Sequence, residues 1–246
     1  MGFVDIVYIF KQNLENDSAE LRYSLRSLDN LPHRQVFIVG EKPDWAQNVI
    51  FIPVEQNDTK HANVKNSLLT ACQFPNISDD FILMNDDFFI MKPIRHESLS
   101  AYDMGKMRDV IMAYETRYPS GSDYINNMRK LYKKLLDMGH EDPISYELHI
   151  PMVMNKKKCL ALEQEFGQIY QRRSAYGNHY HIGGGLTIKD VKIFLDDVHN
   201  DPAYAHDPET YLRVQTFLST NGGSFRSGRA GQFVRSVFSR KSNYEI

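Results

Sequence analysis

The sequence predicts an α/β fold in which a mixed, mainly parallel sheet is flanked by helices. Short apolar segments alternate with helical segments through the first hundred residues, and this alternation is typical of parallel sheets covered by helices. The chain has 246 residues, of which 42% are hydrophobic and 24% charged. This is ordinary globular composition, and the length suffices to bury a sizeable core in a single domain, 1–246.

The elements of the first half are predicted from apolar runs and their spacing. A helix over 18–30 follows the first strand, because Leu21, Leu25 and Leu28 recur at helical spacing and Ser18 is suited to cap its start. A second helix is predicted over 63–74. The predicted strands are, in chain order, 4–10, 36–40, 49–54, 81–84 and 88–91.

The second half is more polar than the first. Residues 100–145 are predicted to form a helical insertion rich in Tyr, Lys and Arg, and a further helix is predicted over 156–170. The last segment, 224–246, is predicted to be a basic tail, because five basic side chains stand there against one acid, Glu245.

Charge and cysteine content exclude several classes of protein. With 29 basic and 31 acidic residues the net charge is −2, which argues against a polybasic membrane anchor or a chain dominated by nucleic-acid charge. The two cysteines, Cys72 and Cys159, form no CxxC motif, so neither a disulfide framework nor a cysteine zinc site is expected and a reducing cytoplasm fits best. No apolar run approaches 18 residues, so no stable membrane insertion is expected.

Two adjacent carboxylates, Asp86 and Asp87, follow the predicted strand 81–84. Ligands of parallel sheets bind at the carboxyl ends of strands, so both side chains are expected to lie where a ligand binds. Adjacent carboxylates are costly unless a cation or hydrogen bonds compensate them. Oxygen ligands of this kind suit Mg²⁺ or Mn²⁺, which can bridge a substrate diphosphate. The alternative is a turn that carries two solvated acids.

Other polar residues give weaker signals. His149, in a short extended segment, is a candidate metal ligand or acid–base group, although a lone histidine is more often structural. Arg172 and Arg173 are suited to hold phosphate through paired hydrogen bonds, and the alternative is a solvated pair at a helix end. His179 and His181 have the spacing of two ligands on one strand face.

Two segments of the first half carry a more specific pattern. Residues 20–27 read ELRYSLRS, and residues 77–89 read ISDDFILMNDDFF, a strand that leads into Asn-Asp-Asp. Both resemble blocks of the Stealth family, the sugar-phosphate transferases of capsule synthesis, which includes the catalytic subunit of the lysosomal-enzyme N-acetylglucosamine-1-phosphotransferase. Residues 149–151 are similar to the family's His-x-Pro, residues 172–178 to the Arg-containing end of that block, and residues 238–245 to its closing pattern.

The resemblance implies a GT-A-like, metal-dependent glycosyltransferase that takes a sugar from a nucleotide-diphosphate donor and passes it to a hydroxyl acceptor. Mg²⁺ or Mn²⁺ is the implied cofactor, with Asp86, Asp87 and His149 as its expected ligands. The expected catalytic residues are Asp87, His149 and Glu20. The acceptor implied is either a glycan or modified DNA.

The resemblance also implies which side chains contact the donor. The strand 4–10 and its following loop would face the base, and Asn63 matches the family's Asn before the second helix. Arg22 and Arg26 lie four residues apart on one helical face, so both can point at one ligand. The expected donor-binding residues are Asp5, Arg22, Arg26, Asn63, Asn85, Arg172, Arg173 and Asn178.

Departures from the family pattern leave the reaction open. The family's first block has Thr-Trp-Val-Asp-Gly after the opening strand, where this chain has Ile-Phe-Lys-Gln at 9–12, and Asn221-Gly222 is at best the counterpart of the family's late Asn-Asp. The short chain and its shortened first block look more like small bacterial or phage members than capsule enzymes. The alternatives are therefore a phage-type transferase acting on hydroxymethylated pyrimidine bases in DNA, a sugar-1-phosphate transferase of surface polysaccharide synthesis, and a non-catalytic nucleotide-sugar-binding module.

Overall fold

A computed structural model describes residues 4–12, 17–195 and 200–246, and the chain divides into two compact units. The first unit comprises the chain up to residue 97 together with 149–156 and 191–246. The second comprises 98–148 and 157–190, and the predicted insertion, 100–145, falls inside it.

The strands are short, and most of them are apolar and buried. Their bounds are β1 (Asp5–Phe10), β2 (Val36–Gly40), β3 (Ile50–Pro53), β4 (Asp80–Met84), β5 (Phe88–Ile90), β6 (Tyr102–Asp103), β7 (Met152–Asn155), β8 (Leu186–Thr187), β9 (Lys192–Ile193) and β10 (Phe217–Thr220).

The helices cover the faces of the sheets in the first unit and make up most of the second. Their bounds are α1 (Ala19–Ser27), α2 (Lys60–Gln73), α3 (Met107–Arg117), α4 (Asp123–Asp137), α5 (Lys156–Phe166), α6 (Arg172–His179), α7 (Pro202–His206), α8 (Pro208–Val214), α9 (Gly222–Ser227) and α10 (Arg229–Val237). Among the described residues, no helix is both long and apolar enough to cross a bilayer.

The central sheet of the first unit has the strand order β3-β2-β1-β4-β7. Its first four strands run parallel, and β7 is antiparallel to β4. These strands are almost continuously apolar because both faces of a parallel sheet are covered. The predicted fold class, a mixed and mainly parallel sheet flanked by helices, is confirmed.

A second sheet in the first unit differs from the sequence-based expectation. The predicted strand 88–91 is found as β5, but it pairs antiparallel with β10 in a three-stranded sheet with β9, outside the central sheet. The segment 224–246 packs against this sheet as a folded part of the unit. Phe225 stacks on Phe89 with ring centroids 5.8 Å apart, and Val234 of α10 is buried in the same core.

The start of α1 also differs from the prediction. Ser18 stands at the N-cap position with a φ of 54°, and its side chain makes no capping hydrogen bond. A capping residue usually has extended backbone, so that its side chain can turn back to the helix. The predicted Ser18 cap is therefore wrong.

The second unit is built mainly from α3, α4, α5 and α6. The buried face of α4 carries Ile125, Met128, Leu131 and Leu135 at helical spacing. The predicted strand placement of His179 and His181 is wrong, because His179 ends α6 and His181 has a left-handed backbone with a φ of 48°.

Candidate functional site

The carboxyl end of β4 leads directly into the turn 85–87, which connects the central sheet to β5. The backbone N–H of Phe88 donates to the Asn85 carbonyl (3.2 Å), closing this turn. Asp86 and Asp87 therefore lie at the carboxyl edge of the parallel strands, where the sequence predicts them. The side chain of Asn85 is exposed at the same turn.

Helix α1 presents Glu20 to this turn. The Ser24 hydroxyl donates to the Phe88 carbonyl (2.6 Å) and shares a hydrogen bond with the buried Tyr8 hydroxyl (2.9 Å). Glu20 lies one helical turn before Ser24, on the same face of α1. Its Oε1 accepts a hydrogen bond from Thr220 Oγ1 of β10 (3.1 Å). The first helix and the last strand thus bring a third carboxylate to Asp86 and Asp87.

Lys192 of β9 places a positive charge directly beside Asp87. Its Nζ lies 2.7 Å from Asp87 Oδ2, and the two side chains are only 18% and 16% exposed. The other oxygen, Asp87 Oδ1, is buried and has no hydrogen-bond partner among the residues that the structure describes.

Neither Lys192 nor Thr220 is predicted from the sequence as a residue of this site. Each lies in a short strand of the second half with no motif around it. One signal was available: Thr220 immediately precedes Asn221-Gly222, the counterpart of the late Asn-Asp to which the family resemblance points.

The crowding of these carboxylates changes their ionisation. Burial raises the pKa of Asp86 to about 7, and the negative charges of Asp87 and Glu20 add to this shift. Burial also raises the pKa of Glu20 to about 7, with a further contribution from Asp87. Lys192 opposes both shifts. Both carboxyls therefore hold a proton to higher pH than an exposed carboxyl does, and their ionisation is linked.

The carboxylates of this turn suit a divalent cation whose coordination is completed by a substrate. The described part of the chain contains no group of three or more His, Cys, Asp or Glu side chains able to hold a metal. Mg²⁺, however, is commonly held by one or two carboxylates together with substrate phosphates and water. Asp86 and Asp87 offer such a pair, and the buried, unpartnered Oδ1 of Asp87 is a ligand atom of the required type.

His149 lies close to the turn without joining such a group. Its half-buried ring packs edge-on against Phe88, the residue after Asp87, with ring centroids 6.0 Å apart. Its expected roles as metal ligand and acid–base group stay predictions.

The two arginines of α1 point to the C-terminus of the chain. They share one helical face, as their spacing predicts, but both contact Glu245, with Arg26 bound through two hydrogen bonds of 2.7 Å. Arg22 also stacks over Trp45 at 4.1 Å from the ring centroid and pairs with Asp17. The structure does not bring these guanidinium groups to Asp86.

Two further expected donor contacts lie away from the turn and serve the fold. Asp5 stands at the amino end of β1, the opposite edge of the sheet from Asp86, where it pairs with Arg34 and accepts from the Ser78 backbone N–H (2.7 Å). Asn63 of α2 bonds with both its amide nitrogen and oxygen to the backbone of Asp58, which holds the loop before that helix.

The remaining expected donor contacts belong to the second unit. Arg172 forms an ion pair with Glu163, and Arg173 Nη1 donates to the Leu148 carbonyl (2.8 Å). The Asn178 side chain bonds to the backbone N–H and carbonyl of Ile144. All three side chains thus contact partners within their own unit, Arg172 a side chain and the other two the backbone.

A cavity of about 320 Å³ opens at the carboxyl ends of β2 and β3. The end of β1 borders it, because Lys11 Nζ donates to the Gln56 carbonyl (3.1 Å) and the Gln12 backbone N–H donates to Glu41 (2.7 Å). The cavity and the turn 85–87 lie at the same edge of one sheet. The lining residues are Gly40, Glu41, Pro53, Val54, Glu55, Gln56 and Asn57.

The fold is similar to that of a solved galactosyltransferase. The structure of the galactosyltransferase LgtC in complex with donor and acceptor sugar analogs matches with a TM-score of 0.54 at 12% identity, over 98% of this chain and 97% of that chain. An active-site mutant of LgtC matches with a TM-score of 0.51, at the same identity and coverage. No family model and no curated protein matches the chain, so the resemblance to the Stealth family stays a prediction.

Proposed function

We propose that the chain is a glycosyltransferase that transfers a sugar from a nucleotide-diphosphate donor to a hydroxyl acceptor with the help of Mg²⁺ or Mn²⁺. The observation that carries the proposal is the cluster of Glu20, Asp86 and Asp87 at the carboxyl edge of the parallel sheet. A fold similar to that of a galactosyltransferase supports the same reaction class.

The donor lies along the carboxyl edge of the sheet in this proposal. The strand order places β2 two strands from β4, a separation of about 10 Å at the usual strand spacing. A nucleoside diphosphate is long enough to bridge that separation. Its base and ribose would occupy the cavity beside Gly40, and its diphosphate would reach Asp86 and Asp87.

The side chains divide the chemical work between them. Asp86 and Asp87 would hold the divalent cation, which would neutralise charge on the departing diphosphate. Glu20, held by Thr220 and with a pKa near 7, is suited to accept the proton of the acceptor hydroxyl. His149, beside Phe88, is the second candidate for that proton.

The test is nucleotide release from a panel of UDP-, GDP-, CMP- and dTDP-sugars, with and without Mn²⁺ and with glycan acceptors. Wild type is compared with Asp86→Asn and with Asp79→Asn, an exposed acid just before β4 that serves as the matched control. Metal-dependent release of a nucleoside diphosphate that Asp86→Asn abolishes and Asp79→Asn retains is the expected result.

Other outcomes identify the alternatives. Release of a nucleoside monophosphate from a UDP-, GDP- or dTDP-sugar would instead indicate sugar-phosphate transfer, whereas a CMP-sugar releases CMP in ordinary sugar transfer. Nucleotide-sugar binding without turnover on any acceptor, unchanged in Asp86→Asn, would indicate a binding module. Absence of both binding and release would contradict the proposal.

One observation favours modified DNA as a second candidate acceptor. Arg229, Arg240 and Lys241 are exposed, whereas Glu245, the one acid of the segment 224–246, is buried. Exposed cations of this kind can contact phosphates in a salt-dependent manner. Because this segment contributes to the core, the test replaces the three basic side chains by Gln and does not truncate the chain. Duplex binding that weakens steeply with salt and is lost in the triple variant would support this acceptor.

A further inference from the structure

The ion pair between Lys192 and Asp87 closes the proposed cation site with a group of the protein itself. We infer that Lys192 is a positioning residue that competes with the divalent cation for Asp87 and thereby sets the affinity of the site for that cation. This inference rests on the proposed function, because it assumes that Asp86 and Asp87 hold the cation.

The geometry shows a close, largely sheltered pair. Lys192 Nζ and Asp87 Oδ2 are 2.7 Å apart, and less than a fifth of either side chain is exposed. A charge-assisted hydrogen bond of this length is among the stronger polar contacts. A divalent cation that binds Asp87 through Oδ2 must therefore displace the ammonium group first.

The backbone holds Lys192 in this place. Strands β9 and β10 pair in register, with Lys192 opposite Ser219, and Ser219 in turn lies opposite Phe88 of β5. The pairing of the three strands thus fixes the backbone of Lys192 next to the turn that carries Asp87. The Ser219 hydroxyl in the middle of this row is buried and, like Asp87 Oδ1, has no hydrogen-bond partner among the described residues.

The two carboxylate oxygens of Asp87 consequently differ in whether a hydrogen-bond donor already occupies them. Oδ2 is occupied by Lys192, whereas Oδ1 is buried and unpartnered. A carboxylate with one oxygen held by a lysine and the other without a donor is incompletely compensated. It is therefore prepared to accept a second cation once the lysine moves, and the strength of the lysine contact limits how readily this happens.

The test measures Mn²⁺ binding to the full chain in the absence of donor. Binding is monitored through the loss of the electron paramagnetic resonance signal of free Mn²⁺. Replacing Lys192 by Met removes the competing charge, and we expect Mn²⁺ to bind roughly tenfold more tightly. Lys133→Met, which removes an exposed lysine of α4, is the matched control and should leave the affinity unchanged. Lys192→Arg should keep the affinity at or below that of wild type, because the guanidinium retains the pair.

The results separate this inference from the proposed function. Unchanged or weaker Mn²⁺ binding by Lys192→Met, with binding still lost in Asp86→Asn, would overturn the role of Lys192 and leave the proposed function standing. If Lys192→Met does not fold, tighter Mn²⁺ binding by Lys192→Arg would overturn the competition by itself. Absence of Mn²⁺ binding in wild type and in every variant would overturn the inference, and the metal dependence of the proposed reaction would then be decided by the nucleotide-release assay, in which Mn²⁺ is supplied together with the donor.

Discussion

Arg26 and Glu245 join the first helix to the end of the chain through a two-pronged ion pair. Arg26 Nε donates to Oε1 and Nη2 donates to Oε2, each at 2.7 Å, across 219 residues of sequence. The Ser242 backbone N–H donates to the same carboxylate (3.0 Å). The face of α1 that presents Arg26 thus anchors the C-terminal segment, while the face that carries Glu20 and Ser24 meets the turn 85–87.

Loss of the Glu245 charge should destabilise the protein strongly. Glu245→Gln leaves the buried guanidinium of Arg26 without its counter-charge, and breaking a buried pair in this way costs about 3–5 kcal/mol. The measurement is the free energy of unfolding in urea at pH 7. The matched control is Glu209→Gln, which removes an exposed ion pair with Arg213 and should change stability by less than about 1 kcal/mol. Equal effects of the two substitutions would contradict the structural role of Glu245.

The contribution of Glu245 should also depend on pH in a defined direction. Burial alone would raise its pKa, but the hydrogen bonds from Arg26 and Ser242 lower the pKa to about 2, from 4.5 in an unfolded chain. Between these values the unfolded chain binds more protons, so stability rises with pH. The stability gap between wild type and Glu245→Gln should be full above about pH 5 and should shrink as pH falls toward 2. Urea unfolding at pH 7, 4 and 2.5 measures this, and a gap that stays constant would refute it.

The central sheet and the position of Asp86 and Asp87 could be predicted because their signals are local. An apolar run followed at once by polar residues identifies both the strand β4 and its carboxyl end. The direction of a strand is equally local, and it already places residue 5 at the amino edge of the sheet. The expectation that Asp5 contacts the donor did not take this strand direction into account.

The ion pairs of the first unit could not be predicted in the same way. Spacing placed Arg22 and Arg26 on one helical face, but their partner Glu245 lies more than 200 residues further along. Lys192 is 105 residues from Asp87, and a lysine at the start of a two-residue strand has no distinguishing pattern. Such contacts depend on how distant strands pair, which periodicity within one segment does not report.

Gly40 should tolerate no side chain. Its φ is +121°, and an added Cβ would lie 2.2 Å from the Phe10 carbonyl oxygen, between the ends of β1 and β2. Gly40→Ala therefore combines backbone strain, about 1–3 kcal/mol, with a clash against backbone that cannot move freely. Gly139→Ala is the control, because its φ of +93° is also positive but nothing lies within 4 Å. Thermal unfolding should show the larger loss for Gly40→Ala, and a loss no greater than that of the control would contradict the assigned packing.

Glu20 should lower the stability of the protein at the pH at which it is needed. Its pKa is about 7 in the folded chain, chiefly because it is buried and secondly because Asp87 is near, against 4.5 when unfolded. Between these values the folded state binds more protons, so the contribution of Glu20 to stability falls as pH rises from about 4.5 to about 7. Glu20→Gln keeps the shape and the contact with Thr220 but removes the charge. The free energy of unfolding of Glu20→Gln minus that of wild type, measured in urea, should therefore be larger at pH 8 than at pH 5. Sugar transfer should be lost in this variant. A relative stability that does not change with pH would contradict the raised pKa of Glu20. Retained transfer would contradict its use in the reaction.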